Sequence, residues 1–225
     1  PAIEVKGQGG LLDVVLAPDF AKSQKIYFSY TEPGDGGNST AVSYATLKDN
    51  QLQNVTRVFS QKPKVNSGLH FGSRLVWGKD GTLFITLGDR YERMKEAQTL
   101  DTHHGKVVRI NADGSVPKDN PFINTPNALP EIWSYGHRNM QGGAIHPVTG
   151  EFWSGEHGPQ GGDEINIDRA GKNYGWPVIT YGENYGGGKI GDGLIAKDGM
   201  EQPVHYWVPS IATAGFIFYT GDQFP

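Results

Sequence analysis

Gly72-Ser-Arg-Leu-Val-Trp-Gly-Lys-Asp-Gly-Thr-Leu-Phe-Ile-Thr-Leu-Gly-Asp89 is the stretch whose reading decides the fold. Two short runs, residues 75–77 and 82–87, flank the turn Gly78-Lys79-Asp80-Gly81. The runs are rich in β-branched and aromatic residues, and glycine and aspartate bound them. That combination reads as a β-hairpin. The hairpin ends at Gly88-Asp89, with His70 two residues before its start.

The same pattern recurs on both sides. Gly10-Leu-Leu-Asp-Val-Val-Leu-Ala-Pro-Asp19 leads to Ile26-Tyr-Phe-Ser-Tyr30, and Gly143-Ala-Ile-His-Pro-Val-Thr-Gly150 leads to Phe152-Trp-Ser-Gly-Glu-His-Gly158. A fourth copy begins at Ala214-Gly-Phe-Ile-Phe-Tyr219. The spacing of about 60 to 70 residues exceeds the roughly 40 to 50 of common propeller repeats, and long loops absorb the excess. Further strands are expected over residues 41–47 and 106–111, and one or two helical turns over 92–100. Glycine, at 32 of 225 residues, sits between the apolar runs as turn punctuation. A repeated four-stranded unit fits an all-β propeller better than a sandwich, which requires no repeat. The expectation is a single β-propeller domain over residues 1–225. It covers about three and a half blades and is truncated at both ends, since four to eight blades close a propeller.

Composition narrows the function. A formal net charge of -4 argues against a nucleic-acid partner. No apolar run approaches the roughly 20 residues of a membrane span. Without cysteine there is neither a disulfide framework nor a thiolate metal site. HExxH, nucleophile-elbow, Walker and dinucleotide motifs are absent.

Three constellations carry chemistry. Gly158-Pro-Gln-Gly-Gly-Asp-Glu164, followed by Gly171-Lys-Asn-Tyr-Gly-Trp-Pro177, offers exposed carbonyls beside two carboxylates. Oxygen donors of this kind suit calcium; an ordinary glycine-rich turn with solvated acids is the alternative. Arg138, within Gly136-His-Arg-Asn-Met-Gln-Gly142, is either a clamp for an anionic oxygen or half of a surface ion pair. His70, with Arg74 and Asp89 at one end of the same hairpin, is either a base with a carboxylate to orient it or, like most of the seven histidines, a structural or exposed residue. His103-His104 reads as a solvated loop.

Eight motifs stand in a fixed order. They are Gln8-Gly-Gly-Leu-Leu12, His70-Phe-Gly-Ser-Arg-Leu75, Gly88-Asp89, Gly105-Lys-Val-Val-Arg-Ile110, Asp113-Gly-Ser-Val-Pro-Lys-Asp-Asn-Pro121, the Gly136 motif, Glu156-His-Gly-Pro-Gln-Gly-Gly-Asp-Glu-Ile-Asn166 and Asn173-Tyr-Gly-Trp-Pro177. Together they resemble the soluble pyrroloquinoline quinone (PQQ) dehydrogenases of the glucose/sorbosone family, over residues 8 to about 219. The Glu156-His-Gly-Pro159 form is closer to the bacterial aldose sugar dehydrogenases.

The resemblance implies a six-bladed propeller, PQQ and calcium as cofactors, an aldose substrate, a separate electron acceptor and a periplasmic or secreted location. It implies His70 as the base, Asp89 as its orienting carboxylate, and Gln8, Arg138, Asn139 and Ser210 as quinone contacts. It implies the carbonyls of Gly158 and Pro159 as ligands of the cofactor's calcium. Glu164, the Tyr174 carbonyl and Glu183 are implied at a second calcium. His157 replaces the glutamine of the glucose enzymes, and the basic clamp for the cofactor's carboxylates is expected beyond Pro225. The rival readings are a calcium-binding propeller without redox activity and a sugar-lactone hydrolase, which needs a carboxylate-held metal in a central channel.

Overall fold

The computed structural model describes residues 1–224 and contains three four-stranded antiparallel sheets, each made from consecutive strands. The first holds β1 (Leu11–Leu16), β2 (Lys25–Gly34), β3 (Gly37–Lys48) and β4 (Gln51–Ser60). The second holds β5 (Gly72–Trp77), β6 (Leu83–Leu87), β7 (Lys106–Ile110) and β8 (Ile132–Tyr135). The third holds β9 (Met140–Ile145), β10 (Phe152–Glu156), β11 (Asp163–Ile167) and β12 (His205–Trp207). These are three blades of a β-propeller. The repeat read in the sequence corresponds to the first hairpin of each blade.

The first strands of successive blades lie side by side, β1 against β5 and β5 against β9. Polar groups fasten them: Asp13 Oδ2 accepts from the Leu75 amide (2.9 Å), and Arg74 Nε donates to the Gln141 carbonyl (2.6 Å). Arg74 is thus committed to the blade junction and stands apart from the His70–Asp89 pair.

The continuous apolar run of β6 follows from its place in the middle blade. Leu83, Ile85 and Leu87 pack toward the first sheet with Tyr27, Val42 and Phe59. Phe84, on the opposite face, stacks on Phe152 of the third sheet at 4.9 Å and meets Met140. A strand buried on both faces loses the alternation of a half-exposed one.

The expected helical turns appear as a short 3-10 helix over Met94–Gln98, and a four-residue helix, α1, spans Phe20–Ser23. Residues 214–219 carry no strand. They lie on the face of the third blade, with Phe216 over Gly142 and Gly155 and Phe218 against His146 and Trp153. A ladder needs a neighbour at the strand's edge, and this segment makes face contacts instead.

His103 and His104 overturn the expectation of a solvated loop, since both are buried. The Lys62 amide donates to His103 Nδ1 (3.0 Å), and His104 Nδ1 pairs with Glu96 (2.6 Å). The polar pair serves packing between the first two blades. Lys106 is likewise buried, its ammonium donating to the carbonyls of Glu96, Ala97 and His104.

Ile85 is fully buried between Leu75 and Val108. Ile85→Ala is expected to cost about 2–5 kcal/mol of stability, through lost transfer energy and a residual cavity. Urea denaturation checks this, and a loss near zero would place the core elsewhere.

Candidate active site

The hairpin of the second blade brings His70 and Asp89 together by close backbone approach. A Cβ on Gly88 would collide with the His70 carbonyl, so only glycine lets the chain pass there. His70 itself has φ 49°, and Arg90 and Tyr91 have φ 59° and 69°. Three non-glycine residues in the left-handed region mark stored strain held by the surroundings.

Asp89 is fully buried, and both carboxylate oxygens are occupied. Oδ1 meets His70 Nδ1 at 2.7 Å and accepts from the Tyr91 amide at 2.8 Å; Oδ2 accepts from the Trp176 indole at 2.7 Å. With Nδ1 engaged, Nε2 is the free ring nitrogen at the wall of a cavity of about 320 Å³. Arg138, Trp176, Tyr185, Tyr91 and Pro159 also line that cavity. The arrangement is that of a base with a fixed tautomer, which can take a proton from a hydroxyl placed in the cavity.

Arg138 is buried and its guanidinium, among the described residues, pairs with no carboxylate, which removes the surface ion-pair alternative. Its guanidinium donates to the carbonyls of Gly158 (2.7 Å) and His157 (3.1 Å) and reaches the Tyr185 hydroxyl (3.3 Å). Its backbone amide donates to Glu156 (2.7 Å). Glu156 also meets His137 at 3.1 Å, and His137 lies between it and Asp168. Burial lowers the basicity of His137, but the two flanking carboxylates outweigh it and push its pKa up to about 9. A buried imidazolium therefore holds the acid that holds Arg138.

The other expected quinone contacts separate. Exposed Gln8 accepts from the His70 amide through Oε1 (2.8 Å), and Asn139 Oδ1 accepts from the Gly72 amide (3.2 Å). Both line a second cavity of about 220 Å³ together with His157, whose ring meets the Thr213 carbonyl (2.6 Å). Ser210 lines neither cavity, and its hydroxyl donates to Asp163 (2.7 Å).

Asp163 is not free for a metal. Its oxygens accept from the amides of Gly158, Ile211 and Ala212 as well as from Ser210, so it organises a loop. Glu164 differs. Loss of solvent and the nearby Glu156 push its pKa up to about 8, and Asn166 Oδ1 beside it is buried without a partner. Glu164, Tyr174 and Gly158 line one narrow cleft. Unrelieved carboxylate repulsion, an orphaned amide oxygen and oxygen-only donors fit a calcium ion. Glu183 is exposed, lies outside that cleft and is tied to Gln160 through its backbone. The Gly158 carbonyl is already engaged by Arg138, while Pro159 borders the larger cavity. Among the described residues no group of three or more histidines and carboxylates is placed to hold a metal ion.

Sequence reasoning missed Arg90. It is fully buried, stacks on Phe71 at 3.9 Å and donates to Asn38, Ser67 and Leu69, thereby fastening the loop that carries His70. Burial lowers its pKa to about 10, which leaves it cationic at neutral pH. Adjacency to Asp89 was the one available signal. Arg90→Ala is expected to cost about 3 kcal/mol or more, because several buried oxygens lose their donor at once. Equilibrium unfolding tests it; a loss below about 1 kcal/mol would deny Arg90 this role.

All 225 residues match the family model described as glucose / sorbosone dehydrogenase. The chain is 53% identical over 231 residues to the aldose sugar dehydrogenase of Escherichia coli K12, covering 100% of this chain and 62% of that protein. The crystal structure of the soluble E. coli aldose sugar dehydrogenase in its apo form superposes with a TM-score of 0.95 at 50% identity, over 100% of this chain and 66% of that one. The PQQ-bound aldose sugar dehydrogenase of Streptomyces coelicolor gives a TM-score of 0.80 at 28% identity, over 97% of this chain and 60% of that one. The chain thus spans under two thirds of the length of these relatives, and it belongs to the glucose/sorbosone dehydrogenase family.

Proposed function

We propose that the full-length protein oxidises aldose sugars at the anomeric carbon with PQQ and calcium as cofactors. The observation that carries this reading is the buried Asp89 carboxylate, which holds His70 Nδ1 at 2.7 Å on the wall of a cavity that also contains Arg138. A planar quinone suits that cavity, whose wall includes an indole and a guanidinium. The PQQ-bound S. coelicolor relative supports the quinone, and the E. coli relative supports an aldose substrate by its name.

Bound PQQ supplies the two-electron acceptor for the hydride of the anomeric C–H bond, and calcium adds a Lewis acid. His70 Nε2 takes the proton of the anomeric hydroxyl. Asp89 keeps the tautomer and stabilises the imidazolium that forms. Arg138 presents a desolvated positive charge to the same cavity, and it would stabilise negative charge that develops on a bound acceptor. The lactone product has lost one hydride and one proton. Gln8 and Asn139 would contact the cofactor from the second cavity, and Ser210 would act through Asp163. The carbonyls of Gly158 and Pro159 would hold the cofactor's calcium, and Glu164, the Tyr174 carbonyl and Glu183 a second calcium. The electron acceptor is a separate molecule, and a periplasmic or secreted site of action accords with the family. Among the described residues no helix is long and apolar enough to cross a membrane.

His70→Ala in the full-length, PQQ-loaded protein is expected to lower turnover by about 10² to 10⁴, the usual contribution of a general base, with cofactor binding retained. Asp89→Asn should cost less, since the base remains. Stopped-flow reduction of the quinone by an aldose reads both. Wild-type turnover in His70→Ala sinks the mechanism. Absence of any aldose oxidation by the loaded wild type favours a calcium-binding propeller without redox activity.

A further inference from the structure

We propose that Trp176 is a positioning residue for the base, setting the strength of the Asp89–His70 hydrogen bond through its indole N–H. The inference rests on the reading of His70 as the base and adds a third member to that pair.

The Asp89 carboxylate is enclosed and meets three donors, of which only the Trp176 indole reaches Oδ2. Without that donor Oδ2 would be a buried anionic oxygen with no partner. The delocalised charge of the carboxylate would then polarise toward Oδ1, which would accept more strongly from His70. One donor more or less on a desolvated carboxylate changes how strongly it draws the imidazole proton.

The indole is fixed from three directions. The Trp176 amide donates to the Gly136 carbonyl (2.8 Å), its carbonyl accepts from Gln98 (2.7 Å), and its ring packs with Ala97 and Ile190. The same ring borders the cavity and lies 5.5 Å from the Arg138 guanidinium carbon. A side chain used only to fill the core has no need of such anchoring around one N–H. This N–H joins blade two to the β11–β12 loop of blade three across 87 positions of sequence.

Trp176→Phe keeps the ring and removes the donor. In the full-length protein without cofactor, the imidazole Nδ1 proton resonance of His70, assigned by its loss in His70→Ala, is expected to move downfield as Asp89 draws on it harder. In the loaded protein, kcat should fall roughly tenfold, the value of one charge-assisted hydrogen bond, with KM little changed. The acid limb of kcat/KM should move to higher pH. Incorporation of 5-fluorotryptophan strengthens the N–H donor without changing shape, and should move that limb to lower pH. If Trp176→Phe does not fold, the fluorinated protein carries the test alone.

An unmoved resonance and acid limb in Trp176→Phe, or an unmoved limb in the fluorinated protein, overturns the proposal. The resonance also separates the two readings. If His70→Ala keeps full activity while Trp176→Phe still shifts the His70 proton, the base assignment fails and the coupling stands.

Discussion

A single desolvated carboxylate organises this molecule's active end. Asp89 sits where water cannot reach it, and an ionised carboxylate there is tolerable only with donors on both oxygens. It recruits one from its own hairpin, one from the turn that follows and one from the β11–β12 loop of the third blade. The positions of His70, Tyr91 and Trp176 are therefore not independent. Each is set by the same charge, and the backbone strain at His70, Arg90 and Tyr91 is sustained by these bonds.

The second organising group is Arg138, and it is held in the opposite sense. Its guanidinium rests on carbonyls, while a chain of buried charges, Asp168, His137 and Glu156, grips its amide from behind. Neutral acceptors leave most of its positive charge unspent toward the cavity. A carboxylate partner would have quenched it, and the role proposed for the residue depends on that omission. The blade architecture makes both arrangements possible, because the loops of adjacent blades meet at one end of stacked first strands.

The acidic loops show the same economy. Asp163 and Glu164 are neighbours in sequence, yet one is saturated by four donors and the other stands beside Glu156 with its charge unrelieved. Strand β11 begins at this pair, so its alternation sends the two side chains to opposite faces. That geometry, and no difference in chemistry, separates a loop brace from a proposed cation ligand.

The hairpins were legible from sequence alone because their causes are local: glycine and aspartate at turns, and apolar runs of strand length between them. The order of motifs was enough to place His70 opposite Asp89, since one hairpin contains both. Strands β4, β8, β11 and β12 were not legible. β4 is largely exposed and rich in glutamine, and β12 spans three residues, so each depends on a neighbour's unpaired edge rather than on its own pattern. His103 and His104 looked like solvent-facing residues until the first two blades closed over them. Trp176 stood in a quoted motif but gave no hint of its partner. Which residues can form turns and strands is written in short-range sterics and hydrophobicity. Which buried charges find their donors is decided only when blades pack, because those donors lie tens of residues apart and meet through the fold alone.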